Sequence, residues 1–116
     1  MNEINISRFK AAQIVKKYYE EYYSNMVNID VKPKLENNDL VILVKKKSRL
    51  NKKIISLTEK INEGKIIEII KKYMQKRDCY IENIMIEPYF HNLNIRYNGE
   101  FNLEEKRNYF IKKKAR

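Results

Sequence analysis

The sequence predicts an α+β fold, on three observations. Apolar residues recur at helical spacing through residues 8–26. A strict apolar–polar alternation flanks a polar turn at 36–39. A second helical stripe at 65–77 is followed by another alternating stretch. A length of 116 residues leaves room for one domain, expected over residues 1–110 with a basic tail over 111–116.

The first element is an amphipathic helix in which Ala12, Val15, Tyr18, Tyr19, Tyr22 and Met26 share a face and Ser7 is the candidate N-cap. Its tyrosines read as a broad core-packing stripe with wet hydroxyls rather than as a base-stacking platform. Val27, Ile29 and Val31 then alternate with Asn28, Asp30 and Lys32, and Pro33 marks an edge strand or a strand end. Glu36-Asn37-Asn38-Asp39 is a turn and Leu40 to Val44 is the returning strand, so residues 27–46 predict a β-hairpin that runs into lysines.

Residues 48–63 admit two readings. Ser56 with Glu59 has the form of a capping box, but Leu57 and Ile66 fall on opposite sides of a continuous helix, and Gly64 sits at the change of face. A short basic helix over 50–61, a turn and a helix over 65–77 is the preferred reading; a strand through Ile54 to Thr58 is the other. The helix at 65–77 carries Ile66, Ile69, Ile70 and Tyr73 on one face, with Asn62 as its cap. Beyond it, Tyr80 to Glu87 reads as a strand ended by Pro88, and Leu93, Ile95 and Tyr97 as another. Asn98-Gly99 gives a hairpin signal toward Phe101 and Leu103, and Asn102 with Glu105 caps a C-terminal helix. The expected order is therefore an N-terminal helix, a β-hairpin, a central basic helical region, a second β-rich segment and a C-terminal helix. That order is compatible with a winged helix–turn–helix variant by analogy of elements alone.

Charge narrows the function. The chain carries 25 Lys and Arg against 15 Asp and Glu, a formal charge of +10. The surplus is unevenly placed: residues 1–44 are neutral, whereas residues 45–77 hold twelve basic and three acidic side chains. Six cations fall in the nine residues Lys45 to Lys53, with no carboxylate among them. Such a block suits a polyanion surface. Asn, Ile, Lys and Tyr supply 59 of the 116 residues, and their AT-rich codons fit a low-GC bacterium, a plasmid or a phage. Codon drift explains Lys over Arg but not this placement.

Catalytic chemistry is thinly supplied. A zinc site needs about four N or S ligands and His91 with Cys79 supplies two at most, while a single His argues against a histidine-rich strand-transfer centre. Cys79 lies in an apolar, strand-like context that favours an inert thiol, and His91 reads as a surface turn residue. Glu82 and Glu87 show no nuclease-like spacing, and the isolated Gly64 and Gly99 make no phosphate loop. No enzyme activity, cofactor or metal is expected. The longest apolar run, Leu40 to Val44, is far short of a membrane span, and the N-terminus lacks the form of a signal peptide, so a cytoplasmic location is expected.

The expected function is non-enzymatic nucleic-acid binding, with duplex DNA favoured over RNA, in an accessory or regulatory role. The candidate contacts are Lys45, Lys46, Lys47, Arg49, Asn51, Lys52, Lys53, Lys71, Lys72, Lys76 and Arg77. Base reading falls to Arg49, Asn51, Ser56 or the polar face of helix 65–77. Duplex binding also admits a homodimer. The alternative is an interaction module, an inhibitor, immunity or assembly factor, whose basic face docks an acidic protein. RNA binding, with Tyr80, Tyr89 and Tyr97 as stacking residues, ranks third, and a lipid surface fits less well.

Overall fold

The computed structural model describes residues 1–22, 26–77 and 80–99. Among them are two helices and six strands: β1 (Asn2–Ile6), α1 (Arg8–Tyr22), β2 (Met26–Glu36), β3 (Asp39–Leu50), β4 (Lys53–Ile61), α2 (Glu63–Arg77), β5 (Glu82–Tyr89) and β6 (Asn92–Asn98). The strands form two antiparallel sheets, ordered β1-β6-β5 and β2-β3-β4.

Both helices start where the local chemistry directs. The Ser7 hydroxyl accepts the Lys10 amide at 3.1 Å, and the Asn62 side-chain oxygen accepts the Lys65 amide at 3.0 Å, each satisfying a first-turn donor that has no partner within the helix. α1 buries Ala11, Ala12, Ile14, Val15 and Tyr19; α2 buries Ile66, Ile69, Ile70, Tyr73 and Met74. These faces meet Leu40, Ile42, Val44 and Ile61 of one sheet and Ile86, Leu93 and Ile95 of the other in one continuous apolar cluster. The Glu63 carboxylate accepts the Leu40 amide at 3.0 Å and ties the start of α2 to the start of β3.

The β2–β3 hairpin turns at Asn37 and Asn38, both with positive φ (53° and 67°), the pair of conformations that matches the twist of a two-residue hairpin and that Asn tolerates. β2 continues through Pro33, which as an edge-strand residue directs its missing N–H away from the ladder. Pro88 likewise lies within the edge strand β5 rather than ending it.

Further expectations are corrected. The chain opens with a strand: β1 alternates Ile4 and Ile6 with Glu3 and Asn5, and pairs with β6 from Asn2↔Tyr97 to Ile6↔Leu93. Helix α1 ends at Tyr22, and Met26 already belongs to β2. The first helix of the central basic region is absent, because residues 45–61 form the far half of β3 and all of β4, which pair from Leu50↔Lys53 to Ile42↔Ile61, whereas its second helix is present as α2. Ser56 and Glu59 are therefore mid-strand residues, not a capping box, and the helix–turn–helix arrangement lacks its first helix. The physical cause is local. Asn51 (φ 51°) and Lys52 (φ 65°) make a second two-residue hairpin turn, and β-branched Ile54 and Ile55 follow it. Tyr97 is buried, so it is no stacking residue. The hairpin expected beyond Asn98-Gly99, the C-terminal helix, the 111–116 tail and Cys79 lie outside the described residues.

Candidate nucleic-acid interface

In β2-β3-β4 the side-chain parity divides the sheet into two faces. Leu40, Ile42 and Val44 of β3 and Ile61 of β4 point inward to the helices. The opposite, outer face is set by the registers Lys34↔Val41, Lys32↔Leu43↔Lys60, Asp30↔Lys45↔Thr58, Asn28↔Lys47↔Ser56 and Arg49↔Ile54. Strand pairing thus gathers Lys32, Lys34, Lys45, Lys47, Arg49 and Lys60 on one solvent-facing surface. Same-face neighbours along a strand are about 6.6 Å apart and adjacent strands about 4.8 Å, so the cations form a grid rather than a cluster.

The carboxylates on this face are Asp30, Glu36 and Asp39. Glu36 is already bound to Lys60 at 2.5 Å. That hydrogen bond, then the ammonium charge itself, with a further contribution from Lys34, holds the Glu36 carboxyl below its ordinary range. Among the described residues, no ion pair engages Lys32, Lys34, Lys45, Lys47 or Arg49. Their charge is available to a ligand.

The far half of the β3–β4 hairpin projects beyond the helices as an arm. Burial in β3 ends at Val44, and in β4 every residue from Lys53 to Lys60 is exposed. Lys46 sits at the boundary and points inward. Its ammonium lies 2.5 Å from the Glu59 carboxylate and 4.9 Å from the Tyr19 ring centroid, and the Tyr19 hydroxyl donates to the same carboxylate oxygen at 3.3 Å. With a side chain only 14% exposed, Lys46 closes the end of the core and is spent on structure.

The eleven residues singled out by sequence therefore separate. Lys45, Lys47 and Arg49 line the outer face of the arm, Asn51 and Lys52 form its tip, and Lys53 lies on the inward face beside the tip. Lys71, Lys72, Lys76 and Arg77 belong to α2, which covers the other side of the sheet, so they do not join the grid. Two of them are also engaged: Lys76 meets Glu21 at 3.4 Å, and Arg77 donates to the Tyr73 hydroxyl at 2.7 Å. Lys32, Lys34 and Lys60 were missed by charge counting. Their signal was the alternation of Lys32 and Lys34 with Val31, Pro33 and Leu35, which assigns both lysines to one face of β2.

Other candidate chemistry is dispersed. His91 is exposed in the β5–β6 turn, and Glu82 and Glu87 are exposed on β5. Among the described residues no three His, Cys, Asp or Glu side chains converge on a metal-sized site. No helix among them is long and apolar enough to cross a membrane. No known protein family, curated protein or solved structure matches the chain.

Proposed function

We propose that this protein binds nucleic acid, duplex DNA ahead of RNA, through the outer face of β2-β3-β4 and its arm, as a non-enzymatic accessory or regulatory factor. The observation that supports this reading most is the convergence of six cations from three strands on one exposed face, five of them outside any ion pair among the described residues. Such a surface neutralises backbone phosphates and releases their counterions, which supplies affinity without sequence information.

Shape favours the DNA duplex. The B-form major groove, about 12 Å wide, admits a two-stranded β-ribbon, whereas the A-form major groove is too deep and narrow. An arm of two strands tipped by Asn51 and Lys52, with Arg49 just behind, has the dimensions of such a ribbon. Arg49 and Asn51 carry the side chains suited to guanine and adenine edges. Lys32, Lys34, Lys45 and Lys47 are then left to the phosphates.

Fluorescence-anisotropy titration against a mixed-sequence duplex, its single strand and a matched RNA hairpin tests the proposal. Duplex binding that weakens steeply between about 50 and 200 mM salt is expected. Absence of binding to all three at the lower salt would overturn it and turn attention to an acidic protein partner.

A further inference from the structure

Among the described residues the two sheets present four edge strands: β1, β5, β2 and β4. An open edge offers unpaired amides and carbonyls to another chain, and proteins blunt such edges with proline, shortness or charge. β2 carries Pro33 flanked by Lys32 and Lys34, β5 carries Pro88, and β1 is five residues long. β4 has none of these protections along its centre. It is nine residues long, contains no proline, and exposes Ile54, Ile55 and Leu57 by 59%, 39% and 61%. Its outer edge pairs with no other described strand.

We propose that this edge is occupied by a second copy of the chain, β4 pairing antiparallel with β4 about a two-fold axis at Ser56. In that register Ser56 faces Ser56, Ile55 faces Leu57 twice, Ile54 faces Thr58 twice, and Lys53 faces Glu59 twice. The pairing joins apolar to apolar and cation to carboxylate at every inward-facing position of the strand's centre. Sliding it by two residues either way sets Glu59 against Ile55, or Lys53 against Leu57, which breaks the ion pairs and leaves a single apolar pair, Leu57 with Leu57 or Ile55 with Ile55. The like-charge pair Lys52 and Lys60 falls at the ends, where Glu36 already holds Lys60.

Directly opposed residues of an antiparallel pair share a face, so the two copies form one six-stranded sheet with both cationic grids on the same side; the dimer presents this broad face to the phosphates, and the free two-stranded ribbon is the form of the monomer. On the inward side, Ile55 and Leu57 of the two copies make an apolar cluster beyond the helices. That accounts for large apolar side chains which a phosphate-binding surface does not use.

Sedimentation equilibrium of the full chain, with no nucleic acid present, is expected to show a concentration-dependent species of twice 14.1 kDa. Leu57→Lys should return it to the monomer mass with an unchanged circular-dichroism spectrum. In a Cys79→Ser background, Ser56→Cys should form a covalent dimer on mild oxidation, because directly opposed Cα atoms lie within disulfide reach, while Ile54→Cys should not. A monomer at every concentration would overturn the proposal. So would a dimer that survives Leu57→Lys, or one that cross-links as readily through Ile54→Cys. Should Leu57→Lys fail to fold, the two cysteine variants still decide. Because nucleic acid is absent, failure here leaves the polyanion reading standing.

Discussion

Replacing Lys45, Lys47 and Arg49 together by Gln removes the cations of the arm's outer face while touching nothing in the core. Log affinity for B-DNA falls with log salt at a slope of about −0.9 per phosphate neutralised. The five outer-face cations without an ion pair, Lys32, Lys34, Lys45, Lys47 and Arg49, give a slope of about −4.5, or about 500-fold weaker binding between about 50 and 200 mM salt. With two contacts left, the slope becomes about −1.8 and the loss over the same range about 12-fold. Affinity at the lower salt should itself drop on the order of a thousandfold, since each lost contact forgoes its counterion release. All three side chains are exposed, so the midpoint of urea unfolding should move by no more than an ordinary surface substitution allows. The control is Lys71, Lys72 and Lys76 changed to Gln, which removes the same charge from the opposite side of the molecule. Anisotropy titrations at several salt concentrations compare the two. An unchanged slope in the sheet variant, or a larger change in the helix variant, would show that the outer face of the sheet does not carry the phosphate contacts.

Other consequences concern stability and local electrostatics. Ile42 is fully buried between the helices and β4, so Ile42→Val should cost about 1 kcal/mol in urea unfolding, whereas Ile54→Val on the exposed arm should cost little. At Gly99 the backbone has φ 110°, and a Cβ there would lie 2.8 Å from the Tyr80 carbonyl oxygen. Gly99→Ala should therefore destabilise by about 1–3 kcal/mol, a loss that differential scanning calorimetry would register. Lys60→Gln should raise the Glu36 carboxyl toward its ordinary value in an NMR titration. Because the folded value lies below the unfolded one, the pair stabilises the fold above the unfolded value, and this contribution fades as pH falls through the folded value. Lys60→Gln should remove that acid-range dependence, and an unmoved Glu36 titration would contradict the assigned cause.

Elements with local signals were legible in the sequence. Asn62 and the Ile66–Tyr73 stripe defined α2 to within two residues at its start, and Glu36–Asp39 marked the β2–β3 turn. β4 was legible only as the less favoured of two readings, a strand through Ile54 to Thr58, for a reason rooted in its position. A strand inside a fold advertises itself by alternating buried and exposed residues, but this one stands clear of the core, so Ile54, Ile55 and Leu57 are all exposed. With no burial pattern to honour, Ser56 and Glu59 imitated a helix start, and the decisive signal was the Asn51-Lys52 turn hidden inside a run of cations. β1 was missed because five residues carry little period, and their partner strand begins about 90 residues later in the chain.

The site was legible as charge but not as geometry. The run from Lys45 to Arg49 looked like one block, yet strand parity sends Lys46 inward to Glu59 and Tyr19 and leaves Lys45, Lys47 and Arg49 outside. Lys32 and Lys34 disappeared into a segment whose net charge was zero, although pairing sets them beside Leu43 and Val41 on the same face. Counting along the chain averages charges that a sheet sorts by face.

The most direct test of phosphate binding by the outer face of β2-β3-β4 is an NMR titration of the isotope-labelled protein with a short mixed-sequence duplex. Shifts concentrated at Lys32, Lys45, Lys47, Arg49, Asn51 and their strand neighbours are expected, with the α2 amides of Lys71 and Lys72 unmoved. Shifts confined to α2, or none at low salt, would contradict it.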